Sequence, residues 1–262
     1  MTACEAALLR ILVCIKRVPA PGARINVTAD GQAVDTANLG FTTSPHEECA
    51  VEAALLLVEA HGGSVTALTL GPEAAEEQLR YTASLGVTDT VLVTTTGEEW
   101  DPQRTARALA AAVADLETRD GTFDLVLFGN DSADAGGFQV GIRTARALGR
   151  PMVTGAKGLT VGDGAARVER EIDGTREVYA LPLPAVVGVK EGINLPRYPT
   201  MKGRLASRKA TGARLEPQAV AGTTVTQRLM PPPEQPSRLV VLGDGPAAAG
   251  ALVDLLAERG LL

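Results

Sequence analysis

The residues best suited to chemistry lie between positions 124 and 148. A hydrophobic strand is predicted to end at Gly129, followed by the loop Asn130-Asp131-Ser132-Ala133-Asp134-Ala135-Gly136-Gly137. A helix then starts near Gly137–Gln139. The first amides of a helix have no intrahelical acceptor, and the macrodipole adds positive potential there, so the pattern suits a phosphate. Gly136 and Gly137 would let the backbone approach that phosphate, and Gln139 offers a side-chain amide. Asp131 and Asp134 oppose an anion unless they face ribose hydroxyls or solvent. An ordinary strand-to-helix turn, with Gly and Asp present for geometry alone, fits the same letters. The loop is neither G-x-G-x-x-G nor a Walker A motif. It lacks the Lys-Ser/Thr pair for phosphates and magnesium, so triphosphate hydrolysis is not supported.

A second candidate is Ser44-Pro45-His46-Glu47. Ser at the cap, Pro at the first helical position and Glu at the third form a helix-start signature. His46 then sits in the first turn, as a surface histidine or as a contact for a ring-shaped ligand. No serine or cysteine nucleophile with a partnering base can be assembled. The chain has three cysteines, Cys4, Cys14 and Cys49, and two histidines, His46 and His61. They have no metal-ligand spacing and form no disulfide framework, so buried reduced thiols are expected.

These residues need a scaffold. Short β-branched runs at 11–15, 65–70, 90–93 and 124–128 alternate with helical periodicity over 47–60 and 102–116. Continuous apolar strands between amphipathic helices predict an α/β fold, a parallel sheet with helices on both faces. The first crossover is long, either a binding loop or an inserted hairpin around Ile25 to Val27. From about residue 151, runs at 159–161, 167–172, 177–181 and 185–189 with Asp-Gly turns predict an antiparallel strand addition. A basic stretch over 202–214 leads into a Pro-rich segment that reads as an extended C-terminal arm, then a strand-like 239–242 and a helix over 247–259. The division expected is 1–210 for the α/β nucleotide-binding domain and 211–262 for an arm and helix docking on a partner.

The bulk numbers exclude several classes. The 262 residues carry a formal charge of −6, which argues against nucleic acid. Aromatics are only 3%, so Ala, Val and Leu must fill the core and helices must pack close to the sheet. No run approaches the roughly 18 unbroken apolar residues of a membrane helix. The opening segment, interrupted by Glu5 and Arg10, does not read as a signal peptide, so a cytoplasmic protein is expected.

Taken in order, several segments resemble the β subunit of electron-transfer flavoproteins. Val13-Cys14-Ile15-Lys16-Arg17-Val18-Pro19 is similar to that family's opening V-x-V-K-x-V. The run from Ser44 to Ala53 resembles its N-P-x-x-E-x-A-V-E-A, with Ser44 for Asn. Gly71-Pro72 follows the second strand as in the family. Val168-Glu169-Arg170-Glu171-Ile172-Asp173-Gly174, Leu183-Pro184-Ala185-Val186-Val187 and Pro196-Arg197-Tyr198-Pro199 complete a resemblance spanning about 11–209.

The resemblance implies an adenine nucleotide alpha hydrolase-like fold and a heterodimer with an α subunit that mainly holds the FAD. It also implies an AMP in this chain, or a second FAD in a bifurcating type. No substrate turnover of its own is implied. Electrons would come from acyl-CoA or related dehydrogenases and go to a quinone reductase at the membrane. Carried over by position, the nucleotide contacts fall on Cys14, Ser44, Pro45, His46, Glu47, Leu70, Gly129, Asn130, Asp131, Ser132, Asp134, Gly137, Phe138, Gln139 and Val140. The family's G-[KR]-Q-x-x-D-x-D is kept here only at Gly129 and Asp134, which leaves AMP against FAD open. Partner docking falls on Arg197, Tyr198 and Met201, in a loop over about 197–205, and Glu171 is expected to position the flavin domain. The alternatives are a stand-alone nucleotide sensor and an adenylating enzyme of the same fold. The enzyme would need S-G-G-x-D-S where this chain has Val18-Pro19-Ala20-Pro21-Gly22.

Overall fold

The computed structural model describes residues 8–208, 212–218, 222, 224–233 and 239–262. Cys4 and Glu5, weighed in the opening segment, lie outside that set.

The first element among the described residues is β1 (Leu9–Ile15). The long first crossover carries β2 (Val18–Pro19), β3 (Asn26–Val27), β4 (Val34–Asp35) and β5 (Phe41–Thr42). These pair antiparallel as β2 with β5 and β3 with β4, so the crossover is built as nested hairpins. Next come α1 (Pro45–His61), β6 (Gly63–Gly71), a 3-10 turn at Glu73–Ala75, α2 (Glu76–Leu85) and β7 (Asp89–Thr94). They are followed by α3 (Pro102–Asp120), β8 (Leu125–Gly129) and α4 (Val140–Leu148). Then come β9 (Met152–Gly162), β10 (Ala165–Ile172), β11 (Thr175–Pro182) and β12 (Ala185–Val189). Last are α5 (Met201–Ser207), β13 (Ala213–Leu215) and α6 (Ala248–Glu258).

One sheet runs β11-β10-β9-β12-β8-β1-β6-β7-β13. Strands from β9 through β13 in that order are mutually parallel, and β10 and β11 extend the edge antiparallel. The alternation along β1 shows why both faces are covered. Ile11, Val13 and Ile15 pack with Ala50, Ala54 and Leu55 of α1 and Leu79 of α2. Leu12 and Cys14 pack on the other face with Leu109 and Val113 of α3 and Ala145 of α4. Alanines at these helix positions let the helix axes lie close to the sheet, which suits a core poor in aromatics.

The structure corrects the sequence reading at several places. Residues 185–189 are not part of the antiparallel addition, because β12 returns between β8 and β9 and pairs parallel with both. Its five residues are all buried, and no alternation betrayed which direction it would run. Residues 239–242 form no strand. The helices α2 and α5 were not anticipated. They are short, and their polar content hid the period. The arm adds β13 to the β7 edge, then lies against the first crossover, where Leu229 N–H donates to Gly31 O at 2.8 Å.

A largely buried ion pair ties α3 to the turn before β9. Arg150 Nη2 lies 2.6 and 2.8 Å from the two oxygens of Glu117, which also accepts the Phe123 N–H at 2.8 Å. Breaking such a pair leaves a desolvated charge, so Glu117→Ala is expected to cost roughly 3 kcal/mol. Arg150→Met keeps the apolar stem, and the Glu117 carboxylate it leaves behind still accepts the Phe123 N–H and can take up a proton, so this change should cost less. Urea unfolding of the two variants measures the difference.

Candidate functional site

The carboxyl ends of β1, β6 and β8 open onto one edge of the sheet, where ligands of open parallel sheets bind. Three segments converge there. They are Lys16 after β1, the start of α1, and the loop between β8 and α4.

The α1 start is held by its own glutamate. Ser44 N–H donates to Glu47 Oε2 at 3.1 Å, as the helix-start signature predicts. The Ser44 hydroxyl meanwhile accepts the Ala133 N–H at 3.0 Å, tying α1 to the loop. Gly129 permits this contact. A Cβ there would lie 2.7 Å from Glu47 Cγ and 3.1 Å from Glu47 N, so β8 and α1 meet only because that position has no side chain. The Glu47 carboxyl is buried, and loss of hydration pushes its pKa up to about 8, against the opposing pull of the Lys16 and Ser44 N–H groups.

The two acids of the loop, awkward for an anion in the sequence, are both engaged. His46 Nδ1 accepts the Glu191 N–H at 2.6 Å, which turns Nε2 toward Asp131 Oδ1 at 3.1 Å. Lys16 Nζ lies 2.6 Å from Asp134 Oδ2 and 2.9 Å from Glu99 Oε1. The Lys16 ammonium, above all its hydrogen bond, holds the Asp134 carboxyl below its ordinary value against the effect of burial. Asn130 N–H donates to Val189 O at 2.8 Å, fixing the loop to β12. Around Gly136 and Gly137 there is open space where a side chain would start, and Phe138 holds a φ of 53° at the entry to α4. Gln139 takes the cap position, and its Oε1 accepts from Arg143 Nη2 at 2.9 Å. This is a cradle with room beside exposed helix-start amides, so its geometry fits a nucleotide phosphate.

Of the other predicted contacts, Leu70 is the half-buried next-to-last residue of β6 beside this edge, and Cys14 is buried. Burial drives the Cys14 thiol well above its ordinary pKa, so it stays protonated and inert. Cys49 is likewise buried and unpaired. Among the described residues no cluster of His, Cys, Asp and Glu could hold a metal, and no helix is long and apolar enough to cross a membrane.

The predicted docking residues separate. Arg197 turns inward, its guanidinium spread over Glu52 and Glu59 of α1, with Nε 2.8 Å from Glu52 Oε2. It thereby anchors the segment before α5. Tyr198 and Met201 point outward, 88% and 74% exposed, joined by Leu195 and Leu205. Glu171 lies on β10, toward the opposite end of the sheet from α2, on which α5 packs. The sequence reading missed Lys16 as a site residue. A lysine at the carboxyl end of a strand facing an acidic loop was the available signal.

The electron transfer flavoprotein domain profile matches residues 33–222. The chain is 32% identical over 221 residues to "Electron transfer flavoprotein subunit beta" of Bacillus subtilis (strain 168), covering 81% of this chain and 84% of that protein. It is 36% identical over 208 residues to the protein of that name from Mycobacterium leprae (strain TN), covering 77% of each. The counterpart from Dictyostelium discoideum is 32% identical over 203 residues, covering 77% of this chain and 79% of that protein. The chain therefore belongs to the electron transfer flavoprotein β-subunit family.

Proposed function

We propose that this chain is the nucleotide-holding, donor-docking half of a two-subunit electron carrier and turns over no substrate of its own. It binds AMP at the start of α4 and clasps an α subunit that carries the redox FAD. It presents Tyr198 and Met201 to an acyl-CoA or related dehydrogenase, and the pair passes electrons toward a quinone reductase. The family membership supports the pairing. The observation that carries the nucleotide reading is the open cradle around Gly136 and Gly137, with Asp131 and Asp134 both occupied by His46 and Lys16.

When bound, the FAD supplies the electron chemistry. This chain's residues would position and stiffen. Backbone amides of Gly137, Phe138 and Gln139 would hold the phosphate, and the α1 start would close over it through Ser44 and Glu47. The arm and α6 would complete the grip on the α subunit, since none of the α6 side chains is buried within this chain.

Co-expression with the α subunit tests the proposal. The expected product is a yellow heterodimer that releases one AMP and one FAD on heating. Two FADs per dimer would replace AMP with the bifurcating arrangement, and a colourless homodimer would overturn the carrier reading.

A further inference from the structure

A phosphate entering the cradle meets a site whose fixed side-chain charge is mostly negative. Asp131, Asp134 and Glu99 lie around it, and the positive side chains have different freedoms. The Arg17 guanidinium is stacked over the Phe41 ring, 3.2 Å from its centroid, and Arg143 is tied to Gln139 and Gln103. Lys16 differs from both. It extends from the end of β1 to the loop, is about one-third exposed, and spends two contacts on Asp134 and Glu99. An ammonium has three donors, so one is left for a further acceptor. Asp134 also accepts the Ala135 N–H at 2.8 Å, so its carboxylate keeps a partner if the lysine swings away.

We propose that Lys16 is the side-chain cation for the nucleotide phosphate and that Asp134 competes with the phosphate for it, so that this pair sets the discrimination between a nucleoside monophosphate and its nucleoside. The inference rests on the nucleotide reading above and deepens it. Amides of the α4 start supply directional hydrogen bonds, and Lys16 supplies the full charge that offsets the loop acids. Adenosine, with no phosphate, gains nothing from Lys16. A structural lysine that merely bridges two loops would affect both ligands alike.

The test titrates AMP and adenosine into the nucleotide-free full chain, followed by calorimetry and by emission of Trp100, the single tryptophan, which neighbours Glu99. The wild type is expected to prefer AMP strongly. Lys16→Met should weaken AMP roughly tenfold to a hundredfold, the range of a charge-assisted hydrogen bond, and leave adenosine unchanged. Lys16→Arg should restore most of the preference. Asp134→Asn should tighten AMP and not adenosine. Equal melting temperatures of these variants verify the fold. A Lys16→Met protein that keeps the wild-type ratio of AMP to adenosine affinity overturns the inference and leaves the nucleotide reading standing. A wild type that binds neither ligand removes that reading, and this inference with it.

Discussion

Gly203→Ala is expected to slow flavin reduction by the donor dehydrogenase roughly tenfold or more, the size of effect seen when a docking anchor is lost. Nucleotide content and heterodimer yield should stay at wild type. Gly203 is the third residue of α5, and a Cβ on it would lie 2.1 Å from the carbonyl oxygen of Ser84 in the last turn of α2. The obstacle is backbone, so no rotamer change relieves it and α5 must move away from α2. Met201 and Leu205, one turn apart on α5, move with it. Met201→Ala provides the contrast. It removes one exposed side chain from a seated helix and should slow transfer by less, with unchanged circular dichroism. Stopped-flow reduction of the two variants by the same dehydrogenase measures both. Wild-type rates in Gly203→Ala would take α5 out of the docking surface.

Glu47→Gln is expected to flatten a pH dependence of stability that the wild type carries. In the folded chain the carboxyl titrates at about 8, against an ordinary 4.5. Below 4.5 both states hold the proton and Glu47 adds no slope. Between these values the folded state keeps a proton that the unfolded chain has released, so unfolding gains as pH rises. The wild type therefore loses stability across this window, by at most about 1.4 kcal/mol per pH unit, and the loss is complete above it. Glutamine stays neutral and can accept the Ser44 and Lys16 amides with its carbonyl. Urea midpoints of wild type and Glu47→Gln at pH 5, 7 and 9 should diverge with rising pH, the variant becoming the more stable. Parallel curves would mean that Glu47 is ionised in the fold.

The two substitutions probe different parts of the molecule. Gly203 concerns how a short helix is seated on another. Glu47 concerns why a carboxylic acid is buried where α1, β1 and β8 meet. That acid is also the reason Gly129 must be glycine, since the two occupy adjoining space. The loop between β8 and α4 thus depends on a residue more than eighty positions earlier.

The amino-acid sequence by itself determined what local periodicity and capping encode. The strand cores of β1, β6, β7 and β8 were legible because buried parallel strands are continuous apolar runs. The start of α1 was legible because Ser44, Pro45 and Glu47 write their own boundary. The strand–loop–helix turn from β8 to α4 was legible because Gly, Asp and Ser after a strand, and before a helix, set backbone geometry within a few residues. Only the tertiary structure decided what depends on distant pairing. β12 became a central parallel strand because its neighbours lie at 125–129 and 152–156. Arg197 became an internal clamp because Glu52 and Glu59, one face of α1, reach it across the fold. Asp131 and Asp134 acquired partners because folding brings His46, from the first turn of α1, and Lys16, from just after β1, to them. Hydrogen bonds and ion pairs act over a few ångströms of space with no regard for chain separation, so no local pattern could announce them.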